Sequence, residues 1–225
     1  MVKNLSFSFL KGIAAGASIG VGGFLYILMV FAVPGEIGKV LGSILFAVGL
    51  FTVCSLSLHL YTGKIGLIYE KKQEKEFYFS LPVMLIGNAV GAVGLGYICY
   101  FIFKDLDIYQ VALNTSAIRL SLYTFEDYLS CMVKSFLCGL CVYLAVKSFA
   151  YKRISIIGTL LLVLFVFVFV YAGFQHCIAN MFYFSFANSW GWEACVNLIF
   201  CILFNSLGPV VGVLLIKAVQ KQETK

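Results

Sequence analysis

Long apolar runs separated by short polar gaps dominate the chain. The first covers about residues 7–33 and is broken by Pro34 and Glu36. The second, about 37–69, ends in the cluster Glu70-Lys71-Lys72-Gln73-Glu74-Lys75-Glu76, and the third covers 77–103. A polar loop with Lys104, Asp105, Asp107 and Arg119 leads to the fourth, about 125–146, which ends at Lys147, Lys152 and Arg153. The fifth covers about 154–186, and the sixth, about 192–219, precedes the polar tail Gln220 to Lys225. A helix needs about 20 apolar residues to cross a bilayer. The pattern therefore predicts an all-α membrane protein of six transmembrane helices, one domain over residues 1–225.

Composition agrees. The 225 residues are 62% hydrophobic and 12% charged, whereas a soluble domain carries about 25% charge. A soluble globular domain and a disordered chain are both excluded. Placed along the spans, twelve of the sixteen basic residues fall on the side of both termini: Lys3, Lys11, Lys64, Lys71, Lys72, Lys75, Lys147, Lys152, Arg153, Lys217, Lys221 and Lys225. Only Lys39, Lys104 and Arg119 fall opposite, and Lys134 lies within span four. By the positive-inside rule both termini are cytoplasmic in a multi-pass protein of the inner (plasma) membrane. The first run is too long for a signal-peptide core and reads as a retained span. Basic residues dispersed at membrane edges do not suggest a nucleic-acid partner. The eight cysteines lie in or beside apolar runs, where Cys acts as a small hydrophobe. Cys138 and Cys141 form a C-x-x-C with no second ligand pair nearby, and no metal or other cofactor is expected.

Spans two and five are irregular. Each is about 33 residues long and carries polar residues at its middle: Ser55-Leu56-Ser57-Leu58-His59-Leu60-Tyr61-Thr62-Gly63-Lys64 and Tyr171-Ala172-Gly173-Phe174-Gln175-His176-Cys177-Ile178-Ala179-Asn180. Irregular backbone at membrane depth survives only when buried in protein or lining a cavity. Both stretches are therefore expected to be helix breaks along a pathway. Each is followed by a similar segment, Gly87-Asn88-Ala89-Val90-Gly91 in span three and Gly208-Pro209-Val210-Val211-Gly212 in span six. Three spans per half make such a repeat inverted, with the site near the midplane. The row Gly12, Gly16, Gly20 in span one gives a smooth face for close helix packing.

His176 is one of two histidines, and an ionisable group at membrane depth is a functional hypothesis by default. Asn180 shares its face one helical turn later, and Thr62 from the other break is expected beside it. His59 lies in the first break; Lys64 reads as a snorkelling residue at the end of a half-helix.

At these residues the chain resembles the formate/nitrite transporter family of small-anion channels. Gly173-Phe174-Gln175-His176-Cys177-Ile178-Ala179-Asn180-Met181 is similar to its G-F-E-H-S-I-A-N-M motif, and Leu60-Tyr61-Thr62 to its L-F-T. Gly87-Asn88-x-x-Gly91-Ala92 resembles its G-N-x-x-G-A, and Leu144-Ala145-Val146 the end of N-x-L-V-C-L-A-V, with Lys134 as the basic residue ahead of that motif. The resemblance implies an aquaporin-like protomer in a homopentamer, with one pore per protomer. Thr62 and His176 would form its central site, joined by Asn180. Leu50 and Phe169 would narrow the cytoplasmic side, Leu60 and Tyr61 the external side. The vestibule lysine of the family has no clean match: Arg119 serves with a short insertion, and an ungapped count lands on Tyr123. His59 and Lys134 are further vestibule candidates. His59 replaces an acidic residue, Gly139 an asparagine, and Pro209 an asparagine.

The expected function is passage of small weak-acid anions of the formate, nitrite and hydrosulfide class, pH-dependent through His176. Loss of two amides at Gly139 and Pro209 leans the reading slightly to hydrosulfide. An aquaporin-like neutral-solute channel is the alternative, although no N-P-A motif is present. A membrane enzyme lacks an ordered Ser, His and acidic set.

Overall fold

The computed structural model describes residues 2–151 and 155–223, with side chains over 5–150 and 155–218. Lys152, Arg153 and Lys225, and the side chains of Lys3 and Lys221, lie outside the described residues. The described residues form ten helices: α1 (Val2–Ala32), α2 (Glu36–Ser55), α3 (Tyr61–Lys64), α4 (Leu67–Glu70), α5 (Lys75–Phe103), α6 (Ile108–Leu120), α7 (Phe125–Tyr151), α8 (Ile156–Tyr171), α9 (Cys177–Phe186) and α10 (Trp192–Glu223). Five of these, α1, α2, α5, α7 and α10, are long and apolar enough to cross a membrane. The fifth apolar run is divided between α8 and α9, roughly 24 Å and 15 Å long at 1.5 Å per residue. Neither is long enough to cross alone. The second run is divided too, with α3 and α4 as short pieces beyond the break.

The two breaks repeat each other bond for bond. At the end of α2, Leu58 N donates to Val53 O (2.9 Å) and Ser57 N to Cys54 O (3.3 Å); at the end of α8, Phe174 N donates to Phe169 O (2.9 Å) and Gly173 N to Val170 O (3.0 Å). This is the Schellman ending, which requires a left-handed residue. Ser57 (φ 52°) and Gly173 (φ 68°) supply it. Three residues after each the backbone is extended, at Leu60 and at His176, and a new helix begins.

One asparagine fastens each break. Asn88 on α5 accepts from Tyr61 N (2.8 Å) and donates to His59 O and Gly12 O (both 2.8 Å). Asn205 on α10 accepts from Cys177 N (3.0 Å) and donates to Gln175 O (2.8 Å) and Ser135 O (2.7 Å). Backbone groups that leave the helical ladder are thereby satisfied inside the protein, as the membrane interior demands. Helix packing follows the same symmetry: α1 packs on α2 and α5 as α7 packs on α8 and α10. The approach is so close that a Cβ on Gly16 would collide with the backbone of Asn88, and one on Gly139 with that of Asn205. The inverted repeat is therefore real, but its register differs from the expected one. Gly91, not Gly87, is the counterpart of Gly208: a Cβ there would meet Ile13 O and Ala17 N, as one on Gly208 would meet Phe136 O and Leu140 N.

The polar loop before span four contains a helix, α6. Its buried stripe is Ile108, Ala112, Thr115 and Ser116. It docks through Tyr109 Oη, which donates to Ala187 O (2.9 Å), and through Ser116 Oγ and Ser189 Oγ, 2.6 Å apart. Elsewhere the pattern of a soluble protein is turned inside out. Ile156, Leu160 and Leu164 on α8 and Phe101 on α5 are exposed, while Asn88, Asn180, Asn197, Asn205 and Ser135 are fully buried. An apolar exterior fits a lipid solvent.

Candidate functional site

The breaks bring Thr62 and His176 together. His176 is the N-cap of α9: its Nδ1 accepts from Ala179 N (3.2 Å). A nitrogen that accepts carries no proton, so the neutral ring bears its hydrogen on Nε2. Nε2 then donates to Thr62 Oγ1 at 3.0 Å. The hydroxyl hydrogen of Thr62 has no other partner among the described residues. The centre is thus a buried O–H free to donate, held in place by an imidazole that is itself held by a helix start. A second proton on the ring would sit on Nδ1 and replace an accepted hydrogen bond by a contact between two donors.

Asn180 lies one turn beyond His176, fully committed. Its Nδ2 donates to Gln175 Oε1 and Asn197 Oδ1 (both 2.8 Å), and its Oδ1 accepts from Arg119 Nε (3.1 Å). Arg119 is fixed further by Nη1 donating to Thr115 O (2.6 Å) and by stacking over Tyr183, 4.3 Å from the ring centroid. Asn197 Nδ2 donates to Arg119 O (3.0 Å). α6 therefore places one cation beside Asn180 and His176, and Asn180 orients it.

Apolar walls close both sides of the centre. Phe169 stacks on His176 (centroids 6.0 Å) and meets Phe46 edge-on (5.7 Å). The space they share with Arg119, Asn180 and Tyr183 is only about 10 Å³, near the minimum for one water. Beyond Arg119 a cavity of about 130 Å³ opens, lined also by Lys134, Asp127, Cys131 and Gln175. On the other side Leu60 ends a cavity of about 250 Å³ bounded by Val53, Gly63, Lys64, Val146 and Phe149.

Leu60 and Phe169 lie on the sides opposite to those expected of them. Leu60 lies on the side of the termini, since His59 N donates to Lys11 O and Lys217 Nζ to Tyr69 O. Phe169 lies on the opposite side, near the end of α8, where Tyr171 Oη donates to Glu36 Oε2 (3.4 Å). The reason is chain direction: α2 enters from the side away from the termini, so Leu50 precedes the break and Leu60 follows it. Leu50 is fully buried, and Phe46 one turn earlier makes the contact with Phe169. Tyr61 is turned away from the slit; its Oη pairs with Ser206 Oγ (2.9 Å), and its ring packs by Ile65, Leu81 and Met84. Arg119 points into the cavity that Lys134 also lines, whereas Tyr123 is exposed. His59 lines a different cavity, near the termini, its ring edge-on to Phe7. Residues that sequence reasoning missed are Phe46, Tyr183, Asn197 and Asn205. Only Asn205 left a signal, the Asn-x-x-Gly shared by Asn88/Gly91 and Asn205/Gly208. Among the described residues all eight cysteines are free, Cys138 fully buried, and no cluster able to hold a metal is present.

Comparison with known proteins gives the same picture. A family model described as formate/nitrite transporter matches residues 2–219. The "Uncharacterized transporter YrhG" of Bacillus subtilis (strain 168) is 28% identical over 221 residues, 91% of this chain and 81% of that protein. A solved structure described as a pentameric formate channel with formate bound superposes with a TM-score of 0.82 at 25% identity, covering 98% of both chains. An ion channel of the same family superposes with a TM-score of 0.80 at 19% identity, over 93% of this chain and 88% of that one.

Proposed function

The chain belongs to the formate/nitrite transporter family, and from that premise we propose that it conducts small monovalent weak-acid anions through a route centred on Thr62 and His176. It is a multi-pass membrane protein of a transporter family. We further propose a homopentamer with one route per protomer, six crossings per chain with α8 and α9 together forming one, and both termini in the cytoplasm. The observation that carries the reading is the 3.0 Å pairing of Thr62 Oγ1 with His176 Nε2 between two apolar slits.

A bare anion in a low-dielectric slit costs several kcal/mol even after relaxation. Arg119 lowers that cost on one side by raising the local anion concentration. At the centre the hydroxyl of Thr62 donates to the anion, while Nε2–H of His176 fixes the hydroxyl oxygen. The anion crosses the Phe46/Phe169 and Leu60 slits together with one proton, taken from the water on the entry side and released on the far side, because burial disfavours the charged form. The route closes to about 10 Å³ beside His176, so passage requires Phe46 and Phe169 to part.

The lean toward hydrosulfide loses its footing. Gly139 faces the backbone of Asn205, and Pro209 packs by Gly66, so an amide at either position would not have met the substrate. Formate, nitrite and hydrosulfide stay together as one class. The test is flux into proteoliposomes for these three anions and glycerol. Anion flux without glycerol flux supports the reading; glycerol flux alone supports a neutral-solute channel.

A further inference from the structure

Arg119 guards one side of the centre. On the side of the termini the structure holds a cation in the corresponding place. Lys64 ends α3, with its N donating to Leu60 O (3.0 Å). It lines the cavity of about 250 Å³ that Leu60 closes, and also the outer cavity of about 530 Å³ that contains His59, Lys71 and Lys72. The outer cavity carries Glu74 and Glu76 as well, so its charge is mixed. In the inner one Lys64 is the sole charged side chain.

Lys71 and Lys72 are exposed to solvent, and three other neighbouring cations are engaged. Lys147 pairs with Glu70 (2.7 Å), Lys217 donates to Tyr69 O (3.2 Å), and Lys11 donates to Ser57 O (3.1 Å) while lying over Phe7. Among the described residues the ammonium of Lys64 has no ion pair and no hydrogen bond, although the residue is only partly exposed. A half-buried cation without a partner is unfavourable unless a counter-ion arrives. Beside it the Nδ1 of His59, in the outer cavity's wall, is buried without a partner.

We propose that Lys64 forms a second binding site for the permeating anion, on the side of the termini, where a small monovalent anion rests before passing Leu60. The proposal rests on the anion-route reading above. It also replaces the snorkelling role that the sequence suggested for Lys64: a snorkelling lysine would serve the lipid interface, and a wall lysine serves the ion.

The test uses the full chain in proteoliposomes with formate as the probe. Lys64→Met is expected to lower flux roughly tenfold at low formate, much less at saturating formate, and to flatten the dependence of flux on ionic strength. Lys64→Arg is expected to keep wild-type behaviour, and Lys64→Gln to match Lys64→Met if the latter assembles poorly. The loss should be the same in neutral and in anionic lipid. Wild-type flux and salt response in both Lys64→Met and Lys64→Gln would overturn the proposal, as would a loss confined to anionic lipid, which marks a headgroup contact. Wild-type protein that passes glycerol and no formate would overturn the anion route itself, and this site with it.

Discussion

Thr62→Val is the sharpest probe of the centre. Valine has nearly the shape of threonine, so α3 and its packing are kept, and only the hydroxyl is lost. Two consequences follow from the geometry. His176 Nε2–H loses the acceptor 3.0 Å away, and an unsatisfied buried donor costs about 1–3 kcal/mol. The permeating anion loses a donor, and hydrogen bonds to charged groups contribute about 1.5–3 kcal/mol. At 1.4 kcal/mol per factor of ten, the second effect alone lowers flux by roughly 10- to 150-fold. The assay is stopped-flow formate uptake by proteoliposomes of matched protein content, with assembly checked by size-exclusion chromatography. Thr62→Ser, which restores the hydroxyl, should recover most of the flux. Flux for Thr62→Val within twofold of wild type, in correctly assembled protein, would refute the assignment of this hydroxyl to the route.

Four further outcomes are expected. His176→Asn keeps an acceptor for Ala179 N–H but has no titratable ring; with the neutral-acid concentration held constant, wild-type flux should fall on acidification as Nδ1 gains a proton, and the variant should be flat. An unchanged pH profile in the variant would remove His176 from the coupling. Asn205→Ala strips partners from Cys177 N, Gln175 O and Ser135 O and should lower the unfolding free energy by about 3 kcal/mol or more, read by thermal melting in detergent. Gly139→Ala forces α7 from α10, costing about 1–3 kcal/mol; a melting temperature equal to wild type would contradict that close approach. Phe169→Ala opens the space beside His176 and should weaken selection against glycerol, measured by osmotic swelling of the same vesicles.

Much of this was legible because lipid imposes a simple rule: polar residues at membrane depth need a reason. That rule located both breaks, His176, Thr62 and Asn180. The register of the repeat was not legible from glycine. A Gly-x-x-x-Gly row looks the same after a shift of four residues, so Gly87 and Gly91 are equally good matches to Gly208. Asparagine decides it, because Asn88 and Asn205 fasten the two breaks by the same bonds. The helix α6 escaped notice because half of its buried stripe is hydroxyl, Thr115 and Ser116, which apolar periodicity does not register. The choice between Arg119 and Tyr123 depended on that helix. Phe46 and Tyr183 are ordinary apolar residues in apolar helices, and nothing in their spacing marks them as walls. Ser57 adopts a left-handed conformation that composition rarely assigns to serine.

The central claim is that an anion crosses where the two breaks meet. Its most direct test is the structure of the assembled protein soaked with formate, together with flux of the same preparation. The account predicts a carboxylate within hydrogen-bond reach of Thr62 Oγ1, on the line between Leu60 and Phe169, in protein that transports formate. Formate-transporting protein in which the bound anion lies elsewhere, with the Thr62–His176 pair untouched, would contradict it.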